Sequence, residues 1–223
     1  TSGTAPDVFW MMQDLAKLYA TDGVLMPLDD QIKKDNVDMN NYYPSTAEAF
    51  TVDGKIYGIP KDTNSFGLFY NKKLFADAGV AVPTASWTWA DVETAAQKLT
   101  TPATGVYGIA APVVDVLGYY LTIPQAGGYV ISADGTKSGY DNPATLAGIQ
   151  YWTDLITKYH ASPTVQQLTE TDALTMFTSG KVAMYYGGSW DLAAIVNVPY
   201  ANANTDIAPV PKGVNSSFYA NGI

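Results

Sequence analysis

The stretch "VAMYYGGSWDLAAI", Val182 to Ile195, carries the decision about the fold. A β-rich run, "KVAMYY", meets Gly187-Gly188-Ser189, and Trp190 then opens the helical run "WDLAAIV". Strand, tight turn and helix in succession are the unit from which α/β architectures are built. Three readings compete for the tryptophan on that turn. It is core, or it neighbours a nucleophilic Ser189 at a strand-to-helix corner, or it is a flat platform for a bound molecule.

Outward from this stretch the same alternation continues. "FGLFYN" and "DIAPVP" read as strands, and "KKLFADAG" and "TDALTMFTSG" as helices ended by Gly79 and Gly180. "PTASWTWADVETAAQKL" carries a helix start, with Thr88 as N-cap, Asp91 three residues on, and Trp87 able to staple onto Val92. Trp87 and Trp89 therefore read as structural. Asn142-Pro143 opens a long helix with the apolar stripe Leu146, Ile149, Trp152, Leu155, Ile156 and Tyr159, which places Trp152 in the core. His160, the single histidine, falls at the end of that helix, where a cation is favoured, and reads as structural. Two hairpins are expected, around Asp53-Gly54 and around Asp134-Gly135. Asp7 to Met11 reads as a short buried strand, "VYGIAA" as another, and "SSFYANGI" as a last one. The fold class is α/β or a mixed sheet, not a bundle or a sandwich.

The totals narrow the function. The 223 residues are 47% hydrophobic and 15% charged, enough for one large domain or two small ones. A net charge of −9 repels phosphate backbones and argues against nucleic acid as a partner. No apolar run approaches ~20 residues, the length that spans a bilayer as a helix. Without cysteine there are no disulfides, thiolate zinc sites or cysteine nucleophiles. Aromatic content is 13%, with 16 Tyr and 5 Trp against 7 Phe. Tyr and Trp join a flat apolar face to a polar edge, which suits sugars and equally a Tyr-rich core. Thr1 follows no Met, and both ends read as cut inside a fold, so the chain is expected to be a piece of something longer.

Catalytic motifs fit poorly. A nucleophile elbow needs Gly-x-Ser-x-Gly, whereas here the stretch is Gly187-Gly188-Ser189-Trp190-Asp191, and the only histidine is placed elsewhere. No phosphate-binding glycine pattern occurs, and "DGTKSGYDN" lacks the spacing of a calcium loop. A glycosidase needs two carboxylates across a sugar bond, and 21 acidic residues leave that class open. Binding without chemistry needs exposed aromatic faces with Asp, Asn or Gln nearby. Trp10, Asn64, Asp115, Trp190, Asp191 and Asn221 supply them at expected strand ends.

Five stretches, in order, carry a resemblance: "GTAPDVFWMMQDLAKLYATDGVLMPLDD", "DGKIYGIPKDTNSFGLFYNKKLFADAGV", "QAGGYV" with "ATLAGIQYWTDLI", "ALTMFTSGKVAMYYGGSWDL", and "DIAPVPKG" with "FYANGI". The sequence resembles the extracellular solute-binding proteins of carbohydrate ABC transporters, the family that includes maltose-binding protein. That resemblance implies a type II periplasmic-binding-protein fold, two lobes joined by crossing hinge strands, with the first lobe incomplete. Residues 1–61 would belong to the first lobe, 62–66 to a hinge crossing, 67–212 to the second lobe and 213–223 to a return crossing. It implies non-catalytic binding of a sugar in an interlobe cleft and delivery to a membrane permease. It further implies a monomer outside the cytoplasm, in the periplasm or lipid-anchored at the outer face of the membrane, with no cofactor and no metal. A carbohydrate-active enzyme or its sugar-binding module is the alternative. Carried over by motif, the ligand-binding positions are Trp10, Gln13, Asn64, Asp115, Trp190, Asp191 and Asn221. Maltose-binding protein has an acid where Asn64 stands, and its pattern lacks an Asp at the position of Asp191.

Overall fold

The structure is a computed structural model that describes residues 6–114, 118–132 and 134–215. Asp115, Asn221 and the run "SSFYANGI" lie outside the described residues. The chain divides into two compact units, with the boundary between Asn64 and Ser65.

The first unit holds helices α1 (Gln13–Thr21), α2 (Asp29–Lys34) and α3 (Pro44–Ala49), followed by the hairpin β1 (Thr51–Val52) and β2 (Lys55–Ile56). The turn residues Asp53 and Gly54 have φ of 49° and 75°. Two successive positive φ angles match the right-handed twist of the paired strands, which is why Asp-Gly works here. The register sets Thr51 opposite Ile56 and Val52 opposite Lys55. Apolar burial in this unit is slight: Ala16, Ala20, Phe50 and Val52. Asp7 to Met11 is not the buried strand its composition suggests. Val8 is 88% exposed, and Phe9 and Trp10 are exposed too. A strand needs a neighbour for its N–H and C=O groups. The β1–β2 pair is the only sheet among the described residues of this unit, and it does not reach the segment.

The second unit runs β3 (Phe66–Asn71), α4 (Lys72–Asp77), α5 (Trp89–Leu99), α6 (Tyr120–Gln125), α7 (Pro143–Thr157), α8 (Val165–Glu170), α9 (Ala173–Thr178), β4 (Met184–Gly188), α10 (Leu192–Val196), α11 (Pro199–Asn204) and β5 (Thr205–Ala208). Its sheet has the order β4-β3-β5, and β3 is antiparallel to both neighbours. The run "VYGIAA" lies along β4 through isolated parallel bridges, Tyr107 to Val182 and Ala110 to Tyr185, so the sheet is mixed. It does not form a regular strand, because Gly108 presses its backbone onto Ala96 of α5, where a Cβ would collide. The second hairpin is likewise reduced, to an antiparallel bridge between Ile131 and Ser138.

Alternation along the central strands divides the core between the two sheet faces. Leu68, Tyr70, Met184 and Tyr186 enter one apolar cluster with Phe75, Val92, Leu121, Trp152 and Leu155. Phe69 and Tyr185 enter the other, with Phe177, Val182, Ile195 and Ala201. Trp152 is fully buried, and its indole N–H donates to the Pro112 carbonyl at 2.8 Å. Trp89 stacks on Tyr151 at 4.0 Å and donates to Gln125 Oε1, and Trp87 packs against Phe75, so both are structural as read. His160 lies beyond the end of α7 at φ 51°, its Nδ1 3.1 Å from the Ile156 carbonyl.

Candidate functional site

The site is built where β4 stops. Its register against β3 places Gly187 opposite Gly67 and Gly188 opposite Phe66. The Ser189 N–H extends the pairing by donating to the Ser65 carbonyl at 3.0 Å. One tight turn, Ser189–Asp191, then leads into α10. That turn sends two neighbouring side chains opposite ways.

Asp191 turns inward and is 5% exposed. Its Oδ2 accepts from the Gly188 N–H at 3.0 Å and from the Tyr185 hydroxyl at 3.1 Å. Burial raises its pKa above the usual carboxylate value, aided by the charge of Asp172. The two hydrogen bonds pull the other way and do not win. Burial and the Asp191 charge in turn push the Tyr185 hydroxyl up, so it stays a donor at any physiological pH. Asp191 was expected to meet a ligand hydroxyl; in this structure its Oδ2 accepts from two internal donors and the residue is buried.

Trp190 turns outward and is 40% exposed. Its ring packs perpendicular to that of Phe66, centroids 5.3 Å apart and planes at 90°. It also lies across Gly188, where a Cβ would overlap the six-membered ring of the indole. The two glycines read in the sequence as room for a ligand or a tight turn. Gly188 has φ −110°, which any residue adopts, and Gly187 is not in the positive-φ region either. Their space is taken by this chain's own side chains, the Trp190 ring over Gly188 and the Asp191 carboxylate beside Gly187.

The first unit offers a second exposed indole. Trp10 is 56% exposed, with Lys61 Nζ 5.3 Å from the ring centroid. Lys61 pairs with Asp62 at 3.2 Å, and the Asn64 amide reaches Asp62 Oδ1 at 3.5 Å. Trp10 and Asn64 are thus linked through Lys61 and Asp62, two residues that sequence reasoning did not single out. Gln13 is the first residue of α1, three beyond Trp10. Phe66 was also missed, since only the strand register brings it opposite Gly188. Among the described residues no group of three or more His, Asp or Glu is placed to hold a metal ion, and no helix is long and apolar enough to cross a membrane.

Residues 1–222 match the bacterial extracellular solute-binding protein family, and the chain belongs to that family. It is 27% identical over 212 residues to the maltotriose-binding protein of Pyrococcus abyssi, covering 94% of this chain and 43% of that protein. It is 29% identical over 231 residues to the maltodextrin-binding protein MdxE of Bacillus subtilis, covering 98% and 51%. Among solved structures, the ABC substrate-binding protein Lmo0181 from Listeria monocytogenes, in complex with cycloalternan, superimposes with a TM-score of 0.91. The identity is 31%, over 99% of this chain and 56% of that one. The fold is therefore of the periplasmic-binding type. The chain spans about half the length of the relatives it matches.

Proposed function

We propose that this protein binds a sugar or short oligosaccharide outside the cytoplasm, without altering it, and delivers it to the permease of an ABC transporter. The observation that carries the reading is Trp190, an exposed indole held in a perpendicular contact with Phe66 at the end of β4. A sugar presents C–H faces to such a ring and hydroxyls to polar groups beside it. Trp190 is the contribution of residues 67–212, the second lobe in this reading. Trp10, Gln13 and Asn64 are the contribution of residues 1–61 and of the crossing at 62–66. Asp115 and Asn221, outside the described residues, complete the proposed ligand contacts. The relatives named for maltotriose and maltodextrin make α-glucans the first sugars to try. The net charge of −9 suits a neutral ligand better than an anionic one.

The test is titration of the intact protein with maltose, maltotriose and longer maltodextrins, followed by melting temperature and by calorimetry. A ligand of the native state raises the melting temperature, with a stabilisation of RT ln(1 + L/Kd) at free ligand concentration L. Product analysis of the same mixtures is expected to return the sugars uncleaved. Cleavage would replace this reading with an enzyme, and a panel of sugars that leaves the melting temperature unmoved would remove it.

A further inference from the structure

We propose that the Gly187–Asp191 turn sets the Trp190 ring in place before any ligand arrives, and that Asp191 is the positioning residue. This rests on Trp190 as the sugar platform, and deepens that reading by saying how the platform is held. Asp191 Oδ2 closes the turn by accepting from the Gly188 N–H and the Tyr185 hydroxyl, both on β4. With the carboxylate anchored inside, the residue before it is turned to the outer side. There the ring meets two fixed surfaces. One is the perpendicular Phe66 ring, set by the β3–β4 register; the other is the bare backbone of Gly188.

The adjacent glycines have separate tasks. A Cβ at Gly187 would stand 2.7 Å from Asp191 Oδ2 and 2.6 Å from Tyr185 Cε1, so this glycine makes room for the anchor. A Cβ at Gly188 would fall on the Trp190 ring, so that glycine makes room for the platform. Neither is needed for backbone freedom. A ring already ordered in the free protein loses less side-chain freedom on binding, which favours affinity.

The experiment uses the intact protein carrying Gly188→Ala, Trp190→Ala and both together. Alanine is unstrained at φ −110°, and the three atoms nearest its Cβ all belong to the Trp190 ring. Gly188→Ala alone is expected to lower the melting temperature by roughly 2–12 °C, as overpacking does in a protein of this size. In the Trp190→Ala background the same substitution is expected to be nearly neutral. Equal losses in both backgrounds would overturn the proposal.

A second measurement reads Asp191 itself. In protein labelled with 5-fluorotryptophan, the Trp190 line is identified by its loss in Trp190→Ala. Without sugar, Asp191→Ala is expected to move or broaden that line and leave the Trp89 and Trp152 lines in place. Asp191→Asn, which keeps an acceptor oxygen, is expected to restore it. A line unmoved in Asp191→Ala, or all lines moved together, would count against a positioning role. Maltotriose titration separates this from the functional reading. If both structural tests hold while Trp190→Ala binds maltotriose as tightly as the native protein, the ring is preset but is not the platform.

Discussion

At the scale of single residues, Trp190 and Asp191 are joined by one peptide bond and have opposite surroundings. Covering the exposed indole with a sugar buries ~100 Å², about 2–3 kcal/mol at ~25 cal/mol per Å². Trp190→Ala is therefore expected to weaken sugar binding by roughly 30- to 150-fold in a calorimetric titration, with the fold intact by circular dichroism. Unchanged affinity would end the platform reading. Asp191 predicts a pH effect. Its folded-state pKa is raised, chiefly by burial, so the native state holds its proton to higher pH than the unfolded chain does. That contribution to stability is complete below the unfolded value near 3.8 and is lost as pH rises through the raised folded value. Asp191→Asn lacks this dependence. The stability of the native protein relative to Asp191→Asn should therefore be greater at pH 3 than at pH 7 in urea melts. A constant difference would mean the carboxylate is not buried as described. The sequence showed that this tryptophan was unusual. It could not show which of the pair faced inward, because the Phe66 ring is brought to Trp190 only by the β3–β4 register.

Elements were legible where their signals are local. The α5 start is one case: the Asp91 carboxylate accepts from the Thr88 N–H and from the Thr88 hydroxyl, each at 2.7 Å. The Asn142 side chain caps α7 by accepting from the Ala144 N–H at 2.8 Å, with Pro143 in the first turn. The phase of α7 was less legible. Leu146, expected on the buried stripe, is 50% exposed, while Thr145, Gly148, Tyr151, Trp152 and Leu155 face inward. The reason is α6. Gly148 packs against the backbone of Thr122 and Ile123, and the Thr122 hydroxyl donates to the Gly148 carbonyl at 2.8 Å. Small residues allow that approach and rotate the helix away from its hydrophobic maximum. One consequence is testable on the same face. The Tyr151 hydroxyl is buried with no hydrogen-bond partner among the described residues, and burial raises its pKa well above 10.0. A buried, unpaired hydroxyl costs roughly 1–3 kcal/mol, so Tyr151→Phe should raise stability by about that much in urea denaturation. A loss of stability would reveal a partner for the hydroxyl.

For the whole molecule, stability is unevenly shared. Both large apolar clusters lie in the unit beginning at Ser65, while the unit ending at Asn64 buries few apolar side chains. Opening free energy follows buried apolar contact. Hydrogen exchange followed by mass spectrometry should find β3 and β4 the slowest segments and α1 and the β1–β2 hairpin much faster; uniform protection would contradict this. The sequence alone determined the α/β class, the turns at Asp53-Gly54 and Gly180, the helix caps, the core Trp152 and the solute-binding family, because caps, turns and motif order are written in neighbouring residues. Tertiary structure alone decided the rest. Asp7 to Trp10 are exposed, with no strand paired to them among the described residues. Gly187 and Gly188 leave room for the Asp191 and Trp190 side chains. Asp191 anchors the turn while Trp190 faces out. Each of these depends on what lies opposite in space, and the register of β3 on β4 is fixed by pairing across more than a hundred intervening residues.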